Sequence, residues 1–179
     1  MERANIKEAW EFNKDCLRQW LRQFSEAKYF VTVTLNRSPD SAQGEEWLKK
    51  LHVAIDKRLF GKHFSKSTDR TRFIAVRETT KGKHLIHYHL LLVPPATSRP
   101  GANIDDVLHQ VVDWFADDKR RINMDVKPIY TSADWDRFAE YMTKDAWGGT
   151  AFDGVVASDS FLPKDDTSNK DQRTEWQRL

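Results

Sequence analysis

Two hydrophobic periodicities alternate along the 179-residue chain. In some segments apolar residues recur every three or four positions, which is typical of an amphipathic helix. In others they alternate with polar residues, as in a half-buried strand. The helical pattern predicts helices at 6–24, 45–60, from 103 or 105 to about 115, and from 131 or 132 to 146. The alternating pattern predicts strands at 28–36, 72–79, 84–93 and 123–130.

The order of these elements predicts the fold. After an N-terminal helix they run β-α-β-β-α-β, and a last helix follows, which is the order of a split β-α-β arrangement. We therefore expect an α+β fold with a ferredoxin-like, RRM-like antiparallel sheet, helices packed on one face, and the N-terminal helix in addition. In this topology the first and third strands are central neighbours, so 28–36 should lie beside 84–93.

The pattern also divides the chain into three parts. Residues 1–27 form the N-terminal helix, which we expect to pack on the domain formed by 28–160. Residues 161–179 are rich in Lys, Asp, Ser, Asn, Gln and Arg, and we expect them to be disordered.

Composition excludes several classes of protein. No apolar run is long enough to cross a bilayer and the first residues lack the pattern of a signal peptide, so we expect a cytoplasmic protein without a membrane partner. The single cysteine, Cys16, excludes an internal disulfide and a multi-cysteine zinc site. A net charge of only +2 excludes a polycationic nucleic-acid binder, so any basic surface must be local.

Two histidines on one predicted strand are the strongest chemical signal. His87 and His89 are two positions apart and therefore point to the same face, where they could share a metal ion. Glu78, on the preceding strand of the predicted hairpin, could complete a His-His-carboxylate set. Two satisfied histidines and a solvated glutamate are the alternative. The other histidines, His52 among them, are predicted to lie on the surface.

A second signal lies on the last predicted helix. Tyr141 and Lys144 are three positions apart and are therefore neighbours on the helix surface. A tyrosine hydroxyl can attack a phosphodiester, and a lysine ammonium can stabilise the charge that develops. Taken alone, such a pair is more often packing than chemistry.

Three segments, taken in order, resemble the HUH endonucleases, the single-strand DNA nickases of rolling-circle replication. Residues 30–36 are similar to the first motif of that family. Residues 87–89, followed by three leucines, are similar to its His-hydrophobe-His motif, with a tyrosine as the middle residue. Residues 141–145 are similar to the Tyr-x-x-Lys motif of single-tyrosine replication initiators.

The resemblance implies a role for each of these residues. His87, His89 and Glu78 would be ligands of a divalent metal, Mn²⁺ or Mg²⁺. Tyr141 would be the nucleophile that cuts single-stranded DNA and holds it as a 5′-phosphotyrosine, and Lys144 would be its electrostatic partner. The substrate would be single-stranded DNA at an origin, in some cases folded as a hairpin, in a plasmid, phage or virus of a prokaryotic host. No Gly-rich phosphate-binding loop is present, so a host helicase and polymerase would act in trans.

Candidate DNA contacts follow from the same resemblance and from local charge. The polar residues of the first strand would shape the DNA-binding face of the sheet: Thr32, Thr34 and Asn36. The basic candidates are Arg37, Lys62, Lys66, Arg70, Arg72, Lys81, Lys83, Lys119, Arg120 and Arg121. Those between 62 and 83 are the best candidates for a real patch.

Three other functions compete with the initiator. A single-tyrosine transposase would share the chemistry but usually pairs its tyrosine with a glutamine, where this chain has Lys144. A conjugative relaxase usually has three clustered histidines and a longer chain. A non-catalytic RRM-like binder would have aromatic residues in place of His87 and His89.

Overall fold

Four α-helices and five strands are formed by the residues that this computed structural model describes, which are 2–35, 41–79, 86–116, 122–144 and 154–161. The helices are α1 (Glu2–Leu21), α2 (Ser41–Phe60), α3 (Ile104–Ala116) and α4 (Ser132–Met142). The strands are β1 (Tyr29–Leu35), β2 (Arg72–Thr79), β3 (Ile86–Val93), β4 (Ile122–Pro128) and β5 (Val155–Ala157). Short 3₁₀ helices cover Arg22–Phe24, Gly61–Lys66 and Ser158–Phe161.

The strands form one antiparallel sheet in the order β4-β1-β3-β2-β5. The predicted α+β, ferredoxin-like class is therefore confirmed, including the central pairing of β1 with β3. The alternation of apolar and polar residues did not predict β5. This strand has only three residues, so it is too short to display a period.

One face of the sheet is covered by α2 and α3. Every second residue of β1 and β3, such as Val31 and Leu90, packs there against the apolar faces of these helices. The helix α2 approaches closely at Gly44, where a Cβ atom would lie 2.3 Å from the hydroxyl oxygen of Tyr88. Tyr88 is 1% exposed, so its ring fills the space between α2 and β3.

The opposite face carries α1 and α4. Leu17 and Leu21 of α1, together with Trp135 and Phe138 of α4, bury Phe30 and its neighbours on this face. We expected the helices of the domain on one face only. The helix α4 instead lies on the opposite face. There its large apolar side chains pack with α1 and the sheet to form a second core, part of which α1 alone would leave exposed.

Local hydrogen bonds fix both ends of α4. Thr131 and Asp134 form a reciprocal capping box at its start. The helix ends at Met142, four residues before the predicted end, where the Thr143 hydroxyl donates to the carbonyl of Glu140. A side chain that bonds the preceding turn in this way competes with helix continuation. The last two residues of the predicted helix, 145 and 146, lie outside the described residues.

A buried polar cluster corrects the prediction for His52, which is not a surface residue but only 2% exposed. Its Nε2 atom lies 2.7 Å from the carbonyl oxygen of Thr71 and 3.3 Å from Oδ2 of Asp56. Asp56 is fully buried and also accepts hydrogen bonds from Arg70 and from the Thr71 backbone. The cluster ties α2 to the start of β2, because His52 and Asp56 share the buried face of the helix.

No helix in the described part of the chain has the length and apolar character that a membrane span requires. The predicted disordered segment 161–179 lies outside the described residues, apart from Phe161.

Candidate active site

The candidate site lies on the sheet face that α1 and α4 cover only in part. On this face the strand register places Thr34, His87 and Glu78 side by side across β1, β3 and β2. The next row contains Thr32, His89 and Val76. The structure therefore brings the predicted ligands together, because the period of two in each strand sends all of them to one face.

Each histidine is oriented by a threonine on the neighbouring strand. Oγ1 of Thr32 lies 3.2 Å from Nδ1 of His89, and Oγ1 of Thr34 lies 3.0 Å from Nδ1 of His87. A hydroxyl can donate or accept, so it suits either tautomer of an imidazole. With Nδ1 held in this way, Nε2 is the ring nitrogen that remains for other chemistry.

Glu78 connects the sheet to the residues that follow α4. Its Oε2 atom lies 2.7 Å from Nε2 of His89, and its Oε1 atom lies 3.0 Å from Nζ of Lys144. Its side chain is 19% exposed, so the predicted alternative of a solvated glutamate does not describe it.

The charges of this network support one another. Burial alone would raise the pKa of Glu78, but hydrogen bonds from His89 and Lys144 outweigh burial and lower it. Burial alone would lower the pKa of Lys144, but its bonds to Tyr141 and Glu78 outweigh burial and raise it. For His89 burial dominates and lowers the pKa, in spite of Glu78. Glu78 is therefore an anion and Lys144 a cation at neutral pH, while His89 is a neutral imidazole that donates through Nε2.

Tyr141 lies directly against this network. Its ring meets the His89 ring edge to face, with the centroids 4.9 Å apart, and Nζ of Lys144 lies 3.7 Å from the Tyr141 centroid. The ring also meets Phe30 edge to face, and Phe30 stacks on Phe138 of α4 at 4.3 Å. The aromatic packing of α4 thus brings the predicted nucleophile to the predicted ligands, while 43% of Tyr141 stays exposed.

A cleft of about 510 Å³ opens over these side chains. It is lined by Phe30, Thr32, Glu78, His87, His89, Asp125, Lys127, Arg137, Phe138 and Tyr141. A smaller groove of about 230 Å³ between α1 and α4 contains none of the predicted catalytic or metal residues.

Three charged residues of the cleft were not predicted: Asp125, Lys127 and Arg137. Asp125 pairs with Thr32 across β1 and β4, and Lys127 pairs with Phe30. The signal for Asp125 and Lys127 was the alternation of β4, which places Asn123, Asp125 and Lys127 on one face, whereas Arg137 reaches the cleft from α4. The same alternation in the sequence predicts β4 as a strand, and it also predicts that these polar residues share one face.

The donor set suits a divalent cation in its chemistry. The set contains two imidazoles, whose Nδ1 atoms contact threonine hydroxyls, and one carboxylate. Borderline nitrogen ligands together with a hard oxygen ligand suit Mn²⁺, and they suit Mg²⁺ when phosphate oxygens supply further ligands. Among the described residues, no three His, Cys, Asp or Glu side chains are arranged as they stand so that they could hold a metal ion. In this arrangement the two oxygens of Glu78 are engaged by His89 and Lys144.

Those basic candidates for DNA contact that lie within the described residues are not brought to the cleft. Arg72 lies at the far end of β2, six residues or about 20 Å from Glu78, and pairs with Glu26. Lys62 and Lys66 are exposed on the 3₁₀ helix next to α2, which covers the other face. Four further candidates lie outside the described residues: Asn36, Arg37, Lys81 and Lys83. Arg70 is bound to the buried Asp56, and the candidates at 119–121 are also outside the described residues.

Comparison with known proteins places this chain in a family. Searches among curated proteins and among solved structures gave no match. The family model described as replication-associated protein ORF2 matches residues 28–146, which include every strand from β1 to β4 and the whole of α4. The match covers two thirds of the chain and contains the histidine pair, Glu78, Tyr141 and Lys144. The chain belongs to the family of replication-associated protein ORF2.

Proposed function

We propose that the protein is a replication initiator that nicks and rejoins single-stranded DNA through a covalent 5′-phosphotyrosine on Tyr141. The observation that carries this proposal is the packing of Tyr141 against His89, with Lys144 over its ring and Glu78 bonded to both His89 and Lys144. The nucleophile and the proposed metal set thus line one open cleft, and Lys144 contacts both Tyr141 and Glu78. The family match supports a role in replication rather than transposition.

In the proposed reaction the hydroxyl oxygen of Tyr141 attacks the scissile phosphorus in line. The bond from phosphorus to the 3′ oxygen breaks, and the 5′ phosphate stays bound to tyrosine. The phenolic proton passes to water in the open cleft, and the leaving 3′ oxygen takes a proton from solvent. Lys144 stabilises the negative charge that develops next to Tyr141. Since one phosphodiester replaces another, the reverse attack by a 3′ hydroxyl rejoins the strand.

His87, His89 and Glu78 would hold the divalent cation, Mn²⁺ or Mg²⁺. When bound, such a cation supplies Lewis-acid polarisation of the scissile phosphate. Thr32 and Thr34 keep the two imidazoles in place through Nδ1. Partners of this kind fix the orientation of metal-binding histidines.

The cleft also defines the proposed substrate. It is open and shallow, and two of its cations, Lys127 and Arg137, lie within reach of phosphates that flank the cut. A single strand, free or exposed at the tip of an origin hairpin, can enter such a cleft, whereas the phosphate of a stacked duplex cannot approach Tyr141 as closely. The freed 3′ hydroxyl would then prime a host polymerase in the cytoplasm, with a host helicase opening the duplex.

A cleavage assay with a matched histidine control tests this proposal. Single-stranded oligonucleotides of randomised sequence, labelled at the 3′ end, are incubated with Mn²⁺, and the products are resolved on denaturing gels. We expect wild type and His109→Ala to yield a protein-linked labelled fragment, because His109 lies exposed on α3, where its Nδ1 atom contacts the carbonyl oxygen of Asp105 in the same helix. We expect His87→Ala to yield none. Equal cleavage by His87→Ala, or no cleavage by any variant with any divalent cation, contradicts the proposal.

A further inference from the structure

The carboxylate of Glu78 already holds a cation. Its Oε1 atom is 3.0 Å from the ammonium nitrogen of Lys144, and its Oε2 atom accepts the hydrogen bond from His89. The side chains of Glu78 and Lys144 are 19% and 35% exposed, so the pair is only partly screened by solvent. A divalent cation that binds Glu78 through both oxygens therefore competes with Lys144 for Oε1.

We propose that Lys144 is a placeholder cation, which occupies Glu78 until a divalent cation binds and is then released to Tyr141 and the scissile phosphate. This inference rests on the proposed function of His87, His89 and Glu78 as the metal set. An ammonium and a divalent cation compete for the same carboxylate because like charges repel at hydrogen-bond distances. Lys144 is then a positioning residue whose role depends on the state of the metal site.

The position of Lys144 suits both of its partners. It follows the end of α4, with its backbone N–H bonded to the carbonyl of Tyr141, so its stem starts beside the nucleophile. Its Nζ lies 3.7 Å from the Tyr141 ring centroid while it bonds Glu78. A lysine has a flexible stem and three donors, so it can leave Glu78 and remain beside Tyr141 without any movement of the helix.

The exchange couples two events that the reaction needs. Before the metal binds, Glu78 draws the Lys144 ammonium towards the sheet, so Tyr141 shares this cation with Glu78. After the metal binds, Glu78 no longer compensates Lys144, and the ammonium is available for the tyrosine oxygen and the phosphate. By thermodynamic linkage, the ion pair between Lys144 and Glu78 weakens metal binding by a certain factor, and bound metal weakens that ion pair by the same factor.

Metal titration of the full chain tests the exchange without any measurement of activity. Mn²⁺ binding is measured by calorimetry for wild type, Lys144→Met, Lys144→Arg and Lys127→Met, and thermal unfolding verifies that each variant is folded. Lys127 is the matched control, because it is a cation of the same cleft that pairs with Asp125 and not with Glu78. We expect Lys144→Met to bind Mn²⁺ about 3- to 5-fold more tightly than wild type, which is the upper part of the range for a partly exposed ion pair. Lys127→Met and Lys144→Arg should stay within about twofold of wild type.

A second pair of variants tests whether the effect acts through Glu78. In a Glu78→Gln background the ammonium has no carboxylate to occupy, so adding Lys144→Met should no longer tighten binding. A residue that only supported the fold would weaken metal binding when removed, in either background.

The outcomes separate this inference from the proposed function. If wild type binds Mn²⁺ and Lys144→Met binds equally or more weakly, the placeholder role is wrong and the metal site stands. If Lys127→Met tightens binding as much as Lys144→Met, the effect is general electrostatics and the placeholder role is again wrong. If neither wild type nor Lys144→Met binds Mn²⁺, the metal site itself is wrong, and the inference is wrong with it.

Discussion

The close contact between Gly44 and Tyr88 gives a prediction whose size follows from the structure. A Cβ at position 44 would lie 2.3 Å from the Tyr88 hydroxyl oxygen and 3.0 Å from two of its ring carbons. Ordinary contacts between such atoms are about 3.5 Å, so the tyrosine would have to move by about 1 Å. Tyr88 is 1% exposed and lies between α2 and β3, so no free space receives it.

Gly44→Ala should therefore destabilise the protein in spite of better helix propensity. Overpacking a filled core costs about 1–3 kcal/mol, and replacing glycine by alanine in a helix recovers up to about 1 kcal/mol. We expect a net loss of about 1–2 kcal/mol in the free energy of unfolding. Because Tyr88 lies between His87 and His89, the displacement should also weaken Mn²⁺ binding.

Urea unfolding of four proteins checks this reasoning: wild type, Gly44→Ala, Tyr88→Phe and the double variant. Tyr88→Phe removes the hydroxyl oxygen that would lie 2.3 Å from the new Cβ atom at position 44. The double variant should therefore recover more than half of the loss caused by Gly44→Ala, and the double-mutant cycle should give a coupling of about 1 kcal/mol. If Gly44→Ala is as stable as wild type, or if Tyr88→Phe brings no recovery, the close approach of α2 to β3 is wrong.

Three further predictions concern the buried cluster and the cleft. Asp56→Ala should lower the free energy of unfolding by about 3 kcal/mol in urea titrations, because it leaves the guanidinium of Arg70, which is 10% exposed, without its carboxylate. Burial lowers the pKa of His52, so the unfolded state binds more protons than the folded state as the pH falls. The free energy of unfolding should therefore decrease below about pH 6.5, and His52→Gln should flatten that part of the pH profile. A pH profile that His52→Gln leaves unchanged would contradict this role of His52. Lys127→Ala should weaken single-stranded DNA binding and reduce the slope of log K against log salt by about 0.7, as measured by fluorescence anisotropy; an unchanged slope would place Lys127 away from the phosphates.

The sequence predicted those parts of the fold and the site that follow from a period of two. The strand 72–79 is confirmed at both ends, and the pairing of β1 with β3 is confirmed as expected for a split β-α-β sheet. The same period places Thr32 beside His89 and Thr34 beside His87. The functional roles of these residues stay predictions.

Other features depend on tertiary packing, which the periodicity does not contain. The contact of Lys144 with Glu78 needs the end of α4 to lie over β2, and only the second core decides that position. His52 looked like a surface residue because its partners, Asp56 and the Thr71 carbonyl, meet only when α2 docks on the sheet.

The identity of the residue that becomes linked to DNA tests the central claim most directly. A single-stranded oligonucleotide that the protein cleaves is incubated with the protein and Mn²⁺, the complex is digested with trypsin and nuclease, and the nucleotide-bearing peptide is sequenced by mass spectrometry. Tyr130 is the internal control, because it is 83% exposed and lies just before α4. We predict a phosphonucleotide on Tyr141, loss of the adduct in Tyr141→Phe, and an unchanged adduct in Tyr130→Phe. An adduct on Tyr130, or one that persists in Tyr141→Phe, would contradict the account.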